Sequence, residues 1–207
     1  MPGENPPADR PAGPAAGRGA DPLGPDFRMH AERTPNPNSI KWVLGTPLVE
    51  DGRSAFFDAP PSSQDSPLAS RLFAVRGVEG VFVAPGFVTV TKSDDVEWTD
   101  IAQAVVDAIK THVASGTPAL AAGVGLAAAE GGSDVEQRIR RVIDEEIRPA
   151  VAMDGGDVVF AGFREGRVEL YMQGSCSGCP SSRATLKLGI EARLREEVPE
   201  VQEVVAL

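Results

Sequence analysis

Cysteine is scarce in this chain: two in 207 residues, alongside two histidines and a single tyrosine. So few thiols exclude a disulfide scaffold. Two close cysteines read instead as a metal-binding or catalytic pair in a reducing compartment. Positive charge is also in the minority. Twenty Lys and Arg against thirty Asp and Glu leave a formal charge of −10, which argues against sequence-independent nucleic-acid binding, because that needs cations facing phosphates. No apolar run is long enough to span a bilayer, so no membrane partner is expected. The chain does not open with a basic segment followed by an apolar core, and Glu4, Asp9, Asp21 and Asp26 do not suit an Arg-rich, acid-poor transit peptide. The expected compartment is the cytoplasm. A Gly-rich phosphate loop and a Ser/His/Asp array are missing as well.

What is present falls into four stretches. Residues 1–33 are dense in Pro, Gly and Ala and are expected to be a disordered tail, since they bury too little surface to offset ordering. Residues 34–115 form the first expected domain. Ser39-Ile40-Lys41-Trp42-Val43-Leu44 reads as a strand, and Ser66-Pro67 as an N-cap followed by Pro at the first helical position. Val81–Ala84 and Phe87–Thr91 form a hairpin across Pro85-Gly86. A helix from about Glu97 carries Ile101, Val105, Ile109 and Val113. The order is β-α-β-β-α. Residues 116–132, rich in Gly and Ala, are expected to be a flexible linker.

Residues 133–207 form the second domain. Ser133-Asp134-Val135-Glu136 is a capping-box pattern, and Val135, Ile139, Val142, Ile143 and Ile147 give one apolar stripe. Pro149 is expected to kink or end that helix. Val158–Phe163 and Arg167–Gln173 are strands joined around Glu165-Gly166. A helix with Leu186, Ile190 and Leu194 follows, and Val201–Leu207 completes the sheet. The order is α-β-β-α-β, so the fold class is α+β, with two small α/β-sandwich domains.

Both cysteines sit in Gly174-Ser175-Cys176-Ser177-Gly178-Cys179-Pro180-Ser181-Ser182, a strand-to-helix connection. Pro180 suits the first helical position, which makes Cys179 the N-cap and places both thiols near the positive end of a helix dipole. That setting favours thiolate, the form that attacks disulfides or binds metal. Flanking Gly, Ser and Pro argue for surface rather than an inert buried pair. Two thiolates are half of a four-ligand metal site, and His30 and His112 are distant in sequence. Either the pair does dithiol redox chemistry or a second copy of the chain completes the site. A thioredoxin places its cysteines after an early strand, whereas only about thirty residues follow Cys176 here, so the topology does not suit that fold.

Other groupings carry less. Asp154-Gly155-Gly156-Asp157 reads as a turn in preference to a cation site. Trp42 and Trp98 read as core, His30 as a tail residue, and His112 as solvated or locally capped near a helix end. Thr34-Pro35-Asn36-Pro37-Asn38-Ser39 is turn-rich, and physics assigns it only a lead-in to the first strand.

Taken in order and spacing, Asp154–Asp157, Gly174–Ser182 and Leu186-Lys187-Leu188-Gly189-Ile190 resemble the C-terminal domain motif of the NifU-like proteins. Thr34–Ser39, Gly80-Val81-Phe82 and Val88–Lys92 resemble the N-terminal domain of the Nfu type. The resemblance implies an iron–sulfur cluster scaffold or carrier rather than an enzyme. Cys176 and Cys179 would bind a labile 4Fe–4S cluster shared between the two chains of a homodimer. Apo iron–sulfur clients would receive it and upstream assembly proteins would supply it. The alternative function is a dithiol oxidoreductase of thioredoxin-like activity. The cysteine-free first domain is expected to be a separate module that moves independently of the second.

Overall fold

The structure, a computed structural model, describes residues 23, 27–126, 131–175 and 180–207, with the backbone alone for 180–183. Alternating apolar residues set up its first sheet from β1 (Met29–Arg33), β2 (Ser39–Leu44), β3 (Ala55–Phe57), β4 (Val78–Ala84) and β5 (Phe87–Lys92), with α1 (Pro67–Phe73) and α2 (Trp98–Ser115) between and after them. The spatial order is β1-β2-β5-β4-β3 and every pairing is antiparallel. Trp42, Leu44, Val81, Val83, Val88 and Val90 point to one face, where Leu68, Leu72, Val105 and Ile109 of the helices close a core. The caps act as the residues suggest. Ser66 accepts from the Ala69 N–H at 3.1 Å, and Gly116, at φ +64°, ends α2 in the left-handed conformation that glycine adopts without steric cost.

Two boundaries differ from the sequence expectation. The stretch expected to be tail ends in β1, which pairs with β2 from Met29 opposite Leu44 to Arg33 opposite Ile40. Phe27 and Met29 pack on the core, and Glu32 pairs with Lys41 at 2.9 Å; two apolar anchors and an ion pair hold a strand that composition alone hides. The expected linker is also pinned for most of its length. Ala119 and Leu120 are buried, Ser66 donates to the Ala119 carbonyl at 2.8 Å, and Leu126 bridges to Ser54 through two backbone hydrogen bonds of 2.7 and 3.0 Å.

The second unit opens with α3 (Asp134–Val142), capped reciprocally by Ser133 and Glu136. The helix does not stop before Pro149. It widens into a π-helical turn over Ile143–Ile147 and continues as α4 (Arg148–Met153). A proline removes one helical N–H and its ring crowds the carbonyl four residues back; a wider turn relieves both. Strands β6 (Gly156–Arg164) and β7 (Arg167–Gly174) form a hairpin over Glu165-Gly166, both at positive φ. The chain then runs through α5 (Pro180–Glu197) to β8 (Glu203–Ala206), which lies parallel to β7. Ile139, Ile143, Val158, Leu170, Ile190 and Leu194 form the core of this unit.

The first sheet has a second buried face. Ser54, Phe82 and Thr89 are each 1 % exposed or less, and Lys41 is buried too. Their neighbours Ala55, Val81, Val83, Val88 and Trp42 belong to the helix-covered core, so these four point the other way. Strand β7 lies against β3 and β4 on that side, and the second unit covers them.

Candidate functional site

Cys176 and Cys179 lie outside the described residues, and the site is therefore built from what anchors their loop. Its upstream end is Gly174-Ser175, held against the Asp154–Asp157 turn. The Ser175 hydroxyl donates to the Asp154 carbonyl and its N–H to the Gly155 carbonyl at 3.3 Å. Gly174, at φ +76°, faces Gly156 across the β6–β7 ladder. A Cβ on Gly174 would stand 2.6 Å from the Gly155 oxygen and 2.8 Å from the Gly156 Cα, so only glycine allows this approach. The downstream end is the start of α5 at Pro180, the position expected from the sequence.

The Asp154–Asp157 turn is a structural clasp. The Asp157 carboxylate takes Arg148 Nε and Nη2 at 2.8 and 2.9 Å, the Ser54 hydroxyl at 2.7 Å and the Val158 N–H at 2.8 Å. Four donors occupy the carboxylate, so it is committed to protein partners. Hydrogen bonding to Asp157 and then Asp144 raises the Arg148 pKa above its ordinary value. Among the described residues, no three His, Cys, Asp or Glu side chains converge as a metal site.

The remaining sequence candidates go elsewhere. Trp42 is core, and half-buried Trp98 donates from Nε1 to the Pro37 carbonyl at 3.3 Å. His30 pairs with Glu32 at 3.0 Å on the surface. His112 is neither solvated nor capped: it is 1 % exposed, its Nδ1 has no partner among the described residues, and burial with nearby Arg71 pushes its pKa down to about 4. Residues 34–39 do more than lead into β2. Thr34 donates to the Asn36 and Ser39 carbonyls at 2.9 and 3.1 Å, and Asn38 accepts from Lys92 Nζ at 3.2 Å. The Thr34 Cγ2 methyl stands 3.0 Å from where a Cβ on Gly155 would be. The sequence argument missed Ser54, Phe82, Thr89 and Arg148. The polar residues Ser54 and Thr89 alternating with apolar neighbours look like a solvated strand face, and only the burial of that face shows otherwise.

A five-stranded unit followed by a helix-first, three-stranded unit with a C-x-x-C sequence between strand and helix defines a two-unit α+β thiol protein. The family described as NifU-like domain matches residues 139–205, and that described as scaffold protein Nfu/NifU N terminal matches residues 29–116. The human NFU1 iron–sulfur cluster scaffold homolog, mitochondrial, is 41 % identical over 179 residues, covering 85 % of this chain and 70 % of the relative. NifU-like protein 4, mitochondrial, of Arabidopsis thaliana is 42 % identical over 183 residues, covering 85 % and 64 %. The Drosophila erecta NFU1 homolog, mitochondrial, is 40 % identical over 179 residues, covering 85 % and 63 %. The chain thus spans less than two thirds of the plant and fly relatives. A solution structure of a NifU-like protein from Saccharomyces cerevisiae aligns with 46 % of this chain and 86 % of its own, at 22 % identity and a TM-score of 0.42. The chain belongs to the Nfu family of NifU-like scaffold proteins.

The cytoplasmic placement is corrected by these comparisons. The human, fly and plant relatives are all named mitochondrial, which points away from the cytoplasm. The expectation rested on the lack of a signal-like start, on Glu4, Asp9, Asp21 and Asp26, and on a thiol pair suited to a reducing compartment, none of which identifies one reducing compartment over another.

Proposed function

We propose that the chain is a non-catalytic iron–sulfur cluster scaffold and carrier. Cys176 and Cys179 hold a 4Fe–4S cluster jointly with the same pair of a second chain, and the cluster passes to apo-proteins. The observation that supports this most is the ligand count. NifU-like and Nfu scaffold families match along the two units and the human relative is named an iron–sulfur cluster scaffold homolog, while the chain offers two thiols where such a cluster takes four. A homodimer supplies the rest. The cluster is cargo here. The residues that hold the loop's anchor are Gly174, Ser175 and the turn of Asp154–Asp157. The proposed domain division is a first unit from β1 through the pinned stretch to about residue 126, wider than the expected 34–115, and a second unit at 133–207.

Anaerobic reconstitution with ferrous iron and sulfide tests this. The expected product is a brown protein with broad absorption in the blue, about four irons per two chains, and a dimeric size on anaerobic sizing. A colourless protein that catalytically reduces disulfides would establish the dithiol oxidoreductase instead.

A further inference from the structure

We propose that the first unit braces the Gly174-Ser175 anchor of the cysteine loop, with Ser54, Phe82 and Thr89 acting as its positioning residues. The functional consequence rests on Cys176 and Cys179 holding the cluster; the structural part does not. Three contacts meet at the anchor. Thr89 donates to the Gly155 carbonyl at 2.8 Å, the same oxygen that accepts the Ser175 N–H. Ser54 donates to Asp157 at 2.7 Å, and Asp157 faces Gln173 in the ladder one pair away from Gly174. Phe82 places its ring edge 3.0 Å from where a Cβ on Gly174 would be.

Each of these first-unit residues is 1 % exposed or less and turned away from its own unit's core. A serine and a threonine buried this far by the second unit need partners there, because a buried hydroxyl without one costs free energy, and Asp157 and the Gly155 carbonyl are those partners. Glycine is required on the opposing side at two of the three contacts, Gly155 against Thr89 and Gly174 against Phe82. Gly155 sits at φ +79°, and a Cβ there would meet Thr89 Oγ1 at 2.9 Å and Thr34 at 3.0 Å. The tether agrees. Residues 127–132 alone join pinned Leu126 to the Ser133 cap, a reach of at most about 25 Å, which keeps the two surfaces at high effective concentration. The independently moving modules expected from the Gly/Ala composition are replaced by a docked pair.

The test uses the full chain with Ser54→Ala and Thr89→Val combined, and Thr89→Ser as the conservative variant that keeps the donor. In the apo protein, amide exchange at Gly174 and Ser175 is expected to rise about tenfold or more in the double variant, since two buried hydrogen bonds are lost. Exchange at Val83 and Leu170 should stay put, and Thr89→Ser should behave as wild type. In the loaded protein, the double variant should release iron to a ferrous chelator several-fold faster. Wild-type exchange at Gly174 and Ser175 in the double variant would overturn the positioning role. Faster exchange with an unchanged release rate would overturn the claim that the first unit supports the cluster. A wild-type chain that takes up no cluster would sink the proposed function and leave the exchange result to decide the docking.

Discussion

Thr89 and Ser175 hydrogen-bond to one carbonyl, that of Gly155, the first through its side chain at 2.8 Å and the second through its N–H at 3.3 Å. The residue immediately before Cys176 is therefore one acceptor away from the middle of the first sheet. The motif segments of the two units meet at this point, with Thr34 and Thr89 against Gly155 and Ser175 bonded to the same turn.

Gly155→Ala should be costly for two separable reasons. Its φ of +79° is left-handed, and the new methyl would press on Thr89 Oγ1 and Thr34. Gly116→Ala, at φ +64° with open space around it, carries only the first penalty, about 1 kcal/mol. Gly155→Ala is expected to cost about 1–3 kcal/mol more than that, read as the difference in urea midpoints at constant slope. Equal midpoints would mean that the Thr34 and Thr89 side chains yield freely.

Asp157→Asn leaves a largely buried guanidinium facing an amide. Side-chain exposures of 10 % for Asp157 and 24 % for Arg148 leave little water to compensate, Asp144 at 3.2 Å still offsets part of the charge, and a loss of about 2 kcal/mol is expected. Arg148→Met in the Asp157→Asn background should recover part of it, because the stranded charge is gone. A double variant as unstable as the sum of the singles would show that the pair is not coupled.

Much of this architecture is legible from local patterns. Ser66-Pro67 and Ser133–Glu136 announce helix starts through capping, Pro85-Gly86 and Glu165-Gly166 announce hairpin turns, the latter through left-handed conformations, and each is where it was expected. What escapes is decided by distant partners. β1 is recruited by β2 and by Lys41, β3 by β4, and residues 117–126 by Arg53, Ser54 and Ser66. The second buried face is hidden for the same reason: Thr89 between Val88 and Val90 has the signature of a solvated position, and only a partner arriving from residues 154–157 buries it. Of the two expected effects of Pro149, the helix does not end there but is distorted, a π-helical turn absorbing the proline.

His112 should give the chain an acid-sensitive stability. Burial lowers its pKa from 6.5 to about 4, so between those values the unfolded chain binds a proton that the folded chain refuses. Stability from this group is intact above about pH 6.5 and declines as pH falls toward 4, by up to about 3 kcal/mol in total. Carboxylates titrate over part of the same range, so the comparison is with His112→Gln. The wild-type minus variant difference in unfolding free energy should slope across pH 6.5 to 4, and a flat difference would exclude a neutral buried imidazole.

The cysteines themselves should matter for cargo and not for the fold. Cys176 and Cys179 lie among Ser and Gly, a stretch with little apolar surface to contribute to a core. Cys176→Ala and Cys179→Ala are each expected to abolish stable iron binding on anaerobic reconstitution and to leave unfolding free energy within about 0.5 kcal/mol of wild type. Because cluster binding favours the dimer by mass action, neither variant should shift to a larger size when iron and sulfide are added. The same anaerobic sample read by iron content, calorimetry and sizing separates the possibilities. A variant with a full iron load would refute the ligand assignment, and one that loses iron only because its thermal midpoint collapses would make the thiols structural.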